Sequence, residues 1–388
     1  MIINHMTDTD LYKITMGQVV FNQYPYIGAE YELINRGQTV FPMGFADALQ
    51  REVNDMGEIM WSHEEKKFLS QLHILKPTYL EWLTRYHFDP GEVLISQVGG
   101  DLSVVIKGPW YRTIYWEVPL MAIVSELYFQ MMGSFPNPAY YDVAWVKGRF
   151  LSSIGAPFID FGTRRRFSFD VHDRIIQCMV GSGDNGFLGT SNVYLAMKYN
   201  TKPVGTHAHE WFQAHAAMFG YRMATTSALG AWVKEYNGEL GIALSDTFTT
   251  DEFLSRFNAF YARLFDDVRQ DSGDPLIILE KVIAHYQGLG INPTTKTIVF
   301  SDHLNIETIE RIMNALNCRI RPLFGIGTNL TNDVGVTPLN FVIKLFRVIL
   351  PDSQVVPVVK LSDDVGKISG DQRALQAAYS ELGIDRGT

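Results

Sequence analysis

The sequence is poor in cysteine, and this excludes two classes of protein. Its 388 residues contain two cysteines, Cys178 and Cys318, which lie too far apart in the chain to form a Cys-x-x-Cys pair. A disulfide framework and a zinc site built on cysteine are therefore excluded. Unpaired thiols are typical of proteins in a reducing compartment, so we expect a cytoplasmic protein.

Long hydrophobic runs and an excess of positive charge are also missing. The N-terminus lacks the basic start and apolar run of a signal peptide, and the most apolar late segment, residues 339–350, contains Lys344 and Arg347. The 33 basic and 42 acidic residues give a net charge of −9. Because no overall positive field exists, we expect neither nucleic acid nor membrane as a partner, and local groups must bind any anionic ligand.

The sequence does contain enough apolar residues for a large core. Hydrophobic residues make up 46% and charged residues 19% of a chain whose length suits two domains. Helical patterns over residues 8–23 and 46–86 occur with a strand pattern at 29–35 and a hairpin pattern around Gly99 and Gly100. We therefore predict an α+β domain over residues 1–150.

In residues 151–388, short strand patterns alternate with helical ones, as parallel β/α units require. The strand patterns lie at 157–161, 202–205, 240–244, 267–270, 297–300 and 319–324. Two later apolar runs, 341–349 and 355–360, bring the number close to that of a (β/α)8 barrel. We predict an α/β fold with an irregular (β/α) barrel over residues 151–388, whose C-terminal segment packs back on the N-terminal domain. A doubly wound sheet is the alternative.

Most of these strand patterns end in a cluster of polar residues and glycines. The clusters lie at 160–166, 205–210, 245–246, 269–275, 301–305 and 325–329. The carboxyl ends of parallel barrel strands lie on one face, where loops assemble a site. Together the clusters predict an active site on that face, although each one alone also fits turn and helix-capping chemistry.

Two of the clusters suit anionic groups. Gly325, Gly327 and Thr328 offer backbone N–H groups and a hydroxyl to a phosphate. Arg164 to Arg166 are three consecutive cations on an acidic chain, and guanidinium groups bind carboxylate or phosphate. These residues predict an anionic substrate, and a solvated charge run is the ordinary alternative for the arginines.

The histidines and carboxylates allow two interpretations. His207 and His209 could ligate a divalent metal with Asp246, Asp271 or Asp302, which would indicate a metal-dependent barrel hydrolase. Alternatively, His209 opens a helix, whose N–H groups and dipole would stabilise a phosphoryl group carried on the imidazole. Beside arginines, the same carboxylates suit Mg²⁺ held through water and polyphosphate oxygens.

Four motifs are specific in combination. They are Phe161-Gly162-Thr163-Arg164-Arg165-Arg166, Gly205-Thr206 with Ala208-His209-Glu210-Trp211, Asp271-Ser272-Gly273-Asp274-Pro275, and Phe324-Gly325-Ile326-Gly327-Thr328. As a set they resemble the motifs of the bacterial nicotinate phosphoribosyltransferases, over residues 7–363. The resemblance implies an irregular α/β barrel with an N-terminal α+β domain, and homodimers with shared active sites.

The resemblance also implies a reaction. Nicotinate and 5-phosphoribosyl 1-diphosphate would give nicotinate mononucleotide and pyrophosphate in NAD salvage, coupled to ATP hydrolysis through a phosphohistidine and assisted by Mg²⁺. ATP is then a co-substrate. A phospho-metabolite-binding relative that has lost the chemistry is a further alternative.

The resemblance assigns roles by motif position. His209 is expected to be the phosphorylated histidine, with Asp271 and Arg269 as further catalytic residues. Residues expected at nicotinate are Tyr12 (from the partner subunit), Phe161, Ser191, Thr206 and Arg269. Those expected at phosphoribosyl diphosphate are Arg164, Arg165, Ser272, Gly273, Gly325, Gly327 and Thr328. Asp246, Asp271 and Asp302 are the candidates for binding Mg²⁺.

Two positions differ informatively from relatives. Relatives that use nicotinamide carry Asp where this chain has Ser191. A carboxylate at this position would accept a hydrogen bond from the amide of nicotinamide and would repel the carboxylate of nicotinate. Serine therefore favours nicotinate as the substrate. The second position is His207, where bacterial relatives often have Gln or a small residue.

Overall fold

The computed structural model describes residues 1–181 and 186–385. The strands are β1 Gly28–Asn35, β2 Val93–Val98, β3 Asp101–Pro109, β4 Phe158–Asp160, β5 Phe187–Thr190, β6 Ile242–Leu244, β7 Asp267–Gln270, β8 Thr297–Phe300, β9 Arg321–Ile326, β10 Phe341–Ile349 and β11 Val355–Pro357.

The α-helices alternate with these strands over much of the chain. They are α1 Leu11–Gln23, α2 Phe45–Met56, α3 His63–Gln71, α4 Pro77–Leu83, α5 Trp110–Thr113, α6 Glu117–Met131, α7 Tyr140–Ser153, α8 Phe169–Gly181, α9 Val193–Lys198, α10 His209–Phe219, α11 Tyr221–Tyr236, α12 Thr250–Arg256, α13 Ala259–Leu264, α14 Pro275–Gly288, α15 Ile306–Leu316, α16 Thr328–Thr331 and α17 Gln372–Leu382. Among the described helices, none is long and apolar enough to cross a membrane.

Hydrogen bonds join the strands into two sheets, in the orders β11-β10-β1-β3-β2 and β5-β4-β9-β8-β7-β6. The pairs β2–β3 and β10–β11 are antiparallel. In the other sheet, β4–β5 and the successive pairs from β6 to β9 are parallel. The α/β class is therefore confirmed. The closed barrel is not, because β5 and β6 lie at the two ends of the strand order.

The two later apolar runs do form strands, but their predicted place in the barrel is wrong. The apolar run 341–349 forms β10, which lies beside β1 in the mainly N-terminal sheet, and 355–357 forms β11 next to it. Neither run joins the parallel sheet. The alternation of buried and half-buried residues in β10 fits either kind of sheet, so the sequence pattern alone does not choose a partner.

The strand predicted at 202–205 is also wrong, and β5 takes its place. Residue Pro203 forms only an isolated bridge with Thr190. A Cβ on Gly189 would lie 2.1 Å from the Lys202 carbonyl oxygen, so only glycine allows this close approach. β5 spans only four residues and includes this glycine, so its sequence gives a weak strand signal.

By internal contacts the chain forms two compact units. Unit 1 comprises Met1–Pro25, Ala29–Gly205 and Ile326–Lys344, and unit 2 comprises Tyr26–Gly28, Thr206–Gly325 and Leu345–Thr388. The core of unit 1 includes α6, whose first nine residues are all buried. In unit 2, Trp211 and Trp232 pack edge to face in the core, and the Trp211 indole donates to the Ala228 carbonyl. The domain boundary near residue 150 stays a prediction.

Glu126 on α6 is expected to make the stability of the fold depend on pH. Its carboxylate accepts a hydrogen bond from the Phe169 amide at 2.8 Å. Burial nevertheless raises the pKa of Glu126 from 4.5 to about 7, against the effect of Arg166. The folded protein thus binds this proton more tightly than the unfolded chain, so the free energy of unfolding falls as the pH rises between these two pKa values.

Glu126→Gln removes this titration and keeps an oxygen that can accept from Phe169. We expect the variant to exceed the wild type in free energy of unfolding by about 1–3 kcal/mol at pH 8, and to lose that advantage at pH 4. Urea unfolding at the two pH values measures the difference. An equal difference at both would contradict the raised pKa of Glu126.

Candidate active site

In unit 2, the carboxyl ends of neighbouring parallel strands bring polar side chains around His209. Asp246 follows β6, Asp271 follows β7 and Ser301 follows β8, while His209 is the first residue of α10. The His209 Nε2 atom lies 3.1 Å from Asp271 Oδ2, and its Nδ1 atom lies 3.0 Å from Thr247 Oγ1. His209, Asp246 and Asp271 therefore lie close together, with the two carboxylates following β6 and β7 and the imidazole at the start of α10.

Lys360 completes this group, and it was not predicted as a site residue. Its ammonium lies 2.9 Å from His209 Nε2 and 2.9 Å from Asp246 Oδ2. The Lys360 side chain is 5% exposed and that of Asp246 is fully buried. The signal in the sequence is a single lysine that ends the apolar run 355–360. We call His209, Asp246, Asp271 and Lys360 the His209 cluster.

The charges in the His209 cluster favour a neutral imidazole beside ionised carboxylates. Burial and the Lys360 ammonium lower the pKa of His209, although Asp246 and Asp271 oppose this. Burial alone would raise the pKa of Asp271, but the Arg269 guanidinium and the hydrogen bond to His209 hold it well below its usual value. At neutral pH the imidazole therefore keeps one nitrogen lone pair free of a proton, as a nucleophile requires.

Arg269 is held rigidly beside this cluster. Its Nε donates to Ser301 Oγ at 2.8 Å, and its Nη2 donates to Asp271 Oδ1 at 3.0 Å. The Ser301 hydroxyl in turn donates to Asp271 Oδ1 at 2.7 Å. The Arg269 side chain remains 17% exposed. A guanidinium fixed in this way is suited to bind a carboxylate from one direction.

The spacing of the His209 cluster would also suit a metal ion, but its charges do not suit a tightly held transition metal. One ligand atom each from His209, Asp246 and Asp271 lie within 4.8 Å of one another. The Lys360 ammonium already contacts two of these three groups and balances their charge. A transition metal ligated directly by all three would require that ammonium to leave its contacts with His209 and Asp246.

His207 takes no part in this cluster, so the predicted His207 and His209 ligand pair is not supported. The His207 ring packs edge-on against Phe212 and Trp232, with centroid distances of 5.2 and 4.9 Å. Burial lowers its pKa to about 3. His207 is thus a neutral histidine within an aromatic part of the core of unit 2.

Among the other predicted residues of unit 2, Ser272 contacts the His209 cluster directly. The Ser272 hydroxyl donates to Asp246 Oδ2 at 2.6 Å, and Gly273 adopts a positive φ of 75° in the turn before α14. Asp302 contacts Lys367 and His303 rather than His209. The Thr206 hydroxyl donates to the Ile242 carbonyl at 3.0 Å. Gly325 lies within β9.

In unit 1, the Glu117 carboxylate contacts Tyr12, Lys13 and Arg164. Lys13 Nζ lies 2.5 Å from Glu117 Oε2, while Arg164 Nη1 and the Tyr12 hydroxyl each lie 3.3 Å from Glu117 Oε1. Burial alone would raise the pKa of Glu117, but Lys13 and Arg164 hold it below its usual value. Lys13 is fully buried, whereas the Arg164 side chain is 38% exposed and can still contact a ligand.

Arg166 differs from the other arginines of its motif, which corrects the interpretation of all three as substrate-facing. Its guanidinium is fully buried and donates two hydrogen bonds of 2.7 Å to the carboxylate of Asp8. The Asn192 amide donates to the same carboxylate at 2.7 Å. Arg166 therefore stabilises the fold, while Arg164 and Arg165 remain half-buried.

Ser191 is a buried residue whose hydroxyl is already engaged. It donates to Asp10 Oδ1 at 2.7 Å. Burial raises the pKa of Asp10, and Arg164 opposes this rise. Position 191 thus presents a hydroxyl that faces the carboxyl group of Asp10, the N-cap residue of α1.

The turn after β4 is fastened to the segment that follows β9. The Phe161 amide donates to the Ile326 carbonyl at 2.8 Å, and the Thr331 hydroxyl donates to the Gly162 carbonyl at 2.9 Å. A Cβ on Gly162 would lie 2.1 Å from Thr331 Oγ1, so this contact requires glycine. Phe161 and Arg164 are thereby held on a turn tied to the segment that carries Gly327 and Thr328.

Comparisons with known proteins agree over the whole chain. The profile of the Nicotinate phosphoribosyltransferase (NAPRTase) family matches residues 157–384, and that of the NAPRTase N-terminal domain matches residues 7–125. The nicotinate phosphoribosyltransferase of Desulforapulum autotrophicum is 50% identical over 389 residues, which cover 99% of this chain and 100% of that protein. That of Chromohalobacter salexigens is 46% identical over 387 residues, with 99% of each chain covered.

Solved structures give the same result. The crystal structure of nicotinate phosphoribosyltransferase from Porphyromonas gingivalis superposes with a TM-score of 0.96 at 40% identity, covering 99% of this chain and 100% of that chain. The corresponding structure from Vibrio cholerae has a TM-score of 0.92 at 35% identity, covering 99% of this chain and 94% of that one.

Proposed function

The chain belongs to the nicotinate phosphoribosyltransferase family, and from this premise we propose that it couples its reaction to ATP hydrolysis through a phosphoryl group on His209. As a member of that family it joins nicotinate to 5-phosphoribosyl 1-diphosphate, an enzyme reaction of NAD salvage. The observation that carries the proposal is the His209 cluster, in which a neutral imidazole at a helix N-terminus lies between two carboxylates and an ammonium.

The proposed phosphoryl transfer follows from the chemistry of this cluster. The unprotonated nitrogen of His209 would attack the γ-phosphorus of ATP, forming an N–P bond as the bond to ADP breaks. His209 is the first residue of α10, after the N-cap residue Ala208, so backbone N–H groups and the helix dipole can stabilise the new phosphoryl oxygens. The Lys360 ammonium supplies a positive charge at 2.9 Å from the imidazole.

The phosphohistidine need not take part in making the glycosidic bond. We propose that it favours a state with higher affinity for nicotinate and phosphoribosyl diphosphate, so that ATP shifts a conformational population. Hydrolysis of the N–P bond, with water as the nucleophile and phosphate as the product, would then return the enzyme to its starting state.

The glycosidic step itself demands positioning and charge stabilisation. Departure of pyrophosphate leaves oxocarbenium-like charge on ribose C1, and the pyridine nitrogen must be held in line with it. We assign Arg269 and Thr206 to nicotinate and Asp271 to catalysis in unit 2. In unit 1 we assign Phe161 to stacking on the ring. The groups assigned to phosphoribosyl diphosphate are Arg164, Arg165, Ser272, Gly273, Gly325, Gly327 and Thr328.

Mg²⁺ is proposed as the metal, carried mainly by the diphosphate. The donor set fits it, because Asp271 stays ionised and the buried Asp246 Oδ1 atom has no hydrogen-bond partner among the described residues. Asp246 and Asp271 would hold the ion, with Asp302 as a third candidate. When bound, Mg²⁺ would neutralise the charge of the departing pyrophosphate.

The proposed function is tested by assaying nicotinate, nicotinamide and quinolinate in parallel, each with and without ATP. We expect pyrophosphate release with nicotinate alone among the three, and a lower KM for nicotinate when ATP is present. Absence of nicotinate-dependent pyrophosphate release would favour a relative that binds phospho-metabolites without catalysis. Activity that requires a tightly bound transition metal would favour the hydrolase alternative.

Ser191→Asp is expected to weaken the use of nicotinate. The new carboxylate would face Asp10, which the Ser191 hydroxyl contacts at 2.7 Å, and would repel the nicotinate carboxylate. We expect kcat/KM for nicotinate to fall about 100-fold, since apposed like charges cost several kcal/mol. Steady-state rates measure this fall. Ser191→Ala, which removes the hydroxyl without adding charge, is the matched control, and an equal fall in both variants would contradict the role of charge.

We also propose a cytoplasmic homodimer in which Tyr12 reaches the nicotinate ring of the partner subunit. Each shared site would then take Tyr12 from one chain and His209 from the other. Tyr12→Ala and His209→Asn would therefore impair a site through different chains. Refolding the two variants together should restore about a quarter of the wild-type ATP-coupled activity, because half of the dimers combine unlike chains and each of these keeps one of its two sites intact. No recovery, with mixed dimers present by mass spectrometry, would contradict the shared site.

A further inference from the structure

A buried histidine on α8 contacts the residue that precedes the proposed ring-binding turn. His172 Nε2 lies 2.7 Å from Asp160 Oδ2, and both side chains are fully buried. Because an ionised carboxylate can only accept, the Nε2 atom donates in this contact. The other ring nitrogen, Nδ1, has no hydrogen-bond partner within the described part of the chain. The imidazole is therefore fixed through one hydrogen bond, to Asp160.

Asp160 in turn holds two segments at once. Its Oδ1 atom accepts from the Gly162 amide at 2.8 Å, and its Oδ2 atom accepts from the Thr190 hydroxyl at 2.6 Å. The Asp160 carbonyl also accepts from the Ser191 amide at 2.8 Å. One carboxylate thus fixes the turn that carries Phe161 and Arg164 and the end of β5 that precedes Ser191.

His172 helps to keep Asp160 ionised. Burial alone would raise the pKa of Asp160, but His172 is the strongest of the groups that hold it below its usual value. A proton on the Asp160 carboxyl group would face the Gly162 amide or the Thr190 hydroxyl, which both donate to that carboxylate. The orientation of both segments therefore depends on the donor at Nε2 of His172.

We propose that His172 is a positioning residue for nicotinate binding, acting through Asp160 on the Phe161 turn and on Ser191. This rests on the proposed function, in which Phe161 and Ser191 contact the ring. His172 itself touches no substrate. Its effect is to preorganise the ring-binding groups, so its loss should weaken the affinity for nicotinate more than it slows the chemical step.

Two amide substitutions of His172 distinguish this positioning role from an effect of packing alone. The amide nitrogen of His172→Gln can reach the position of Nε2 and donate to Asp160, whereas that of His172→Asn reaches only the position of Nδ1. We expect His172→Asn to raise KM for nicotinate about tenfold, the loss of one hydrogen bond to a charged group, with kcat changed less than about twofold. We expect His172→Gln to remain within about twofold of the wild type in both constants, since its donor is kept.

Thr190→Val provides an independent route if His172→Asn does not fold. It removes a second donor to Asp160 and leaves His172 in place, so KM for nicotinate should again rise while KM for ATP is unchanged. A KM for nicotinate that stays at the wild-type value in folded His172→Asn and Thr190→Val would overturn the proposal. Equal changes in the glutamine and asparagine variants would overturn it as well.

A measurement without substrate separates this proposal from the proposed function. Hydrogen exchange of the Gly162 amide reports its bond to Asp160 directly. We expect exchange to be about tenfold faster in His172→Asn and unchanged in His172→Gln, because only the first loses the support of the acceptor. If the wild type did not use nicotinate, the proposed function would fail while this result would still decide whether His172 positions the turn. Unchanged exchange in His172→Asn would refute the positioning role.

Discussion

His209→Asn is expected to abolish the coupling of ATP hydrolysis to nicotinate mononucleotide synthesis while leaving slow, ATP-independent synthesis at high substrate concentrations. Asparagine keeps a polar group at the start of α10 but has no nitrogen that can accept a phosphoryl group. If the phosphohistidine acts through affinity, kcat/KM with ATP present should fall about 100-fold, near the upper end of typical coupling energies. Pyrophosphate and ADP release, measured together at low and saturating nicotinate, give both quantities.

His285→Asn is the control for this variant. His285 belongs to unit 2 and contacts the Phe257 carbonyl, outside the His209 cluster. We expect His285→Asn to release ADP and nicotinate mononucleotide in the same ratio as the wild type. The assignment of His209 is wrong if His209→Asn still cleaves ATP in the same ratio to product as the wild type.

The second large effect is on stability, and it comes from the buried pair of Asp8 and Arg166. Arg166→Met leaves the Asp8 carboxylate buried, with Asn192 as its remaining side-chain donor. Breaking a buried pair by removing one partner costs about 3–5 kcal/mol. We expect urea unfolding, followed by tryptophan fluorescence, to show a loss of that size in the free energy of unfolding.

Two further variants test the cause of this loss. Asp8→Leu combined with Arg166→Met removes both charges, so it should recover part of the stability. Arg319→Met breaks an exposed pair with Glu280, whose side chains are 37% and 60% exposed, and should cost less than about 1 kcal/mol. Equal losses in Arg166→Met and Arg319→Met would contradict the importance of burial.

Much of the local structure follows from sequence periodicity. The N-terminal helix, the strand at 29–35 and the hairpin around Gly99 were predicted and are confirmed as α1, β1 and β2–β3. Five of the six predicted parallel strands overlap β4 and β6 to β9. The assignment of β10 and β11 to the barrel was wrong because an apolar strand does not specify its neighbour. That choice depends on contacts with β1, which is distant in the sequence.

The site was predictable where polar residues follow strands, and unpredictable where distant residues pair. Arg269 and Asp271 lie at the end of β7, as expected, whereas His209 joins them although the strand predicted before it at 202–205 does not form. No local pattern distinguishes Arg166 from Arg164, because the difference is a partner, Asp8, far along the chain. Lys360 was missed for the same reason. The roles assigned to these residues stay predictions until they are tested.

The most direct test of the central claim is to locate the phosphoryl group. The enzyme is incubated with ATP labelled at the γ-phosphate, digested at alkaline pH and analysed by mass spectrometry. We expect one acid-labile, base-stable phosphoryl group on the peptide that contains His209, and none on that peptide in His209→Asn. A phosphoryl group on another residue would contradict the proposed role of His209. ATP-coupled synthesis by an enzyme that carries no phosphoryl group would contradict it as well.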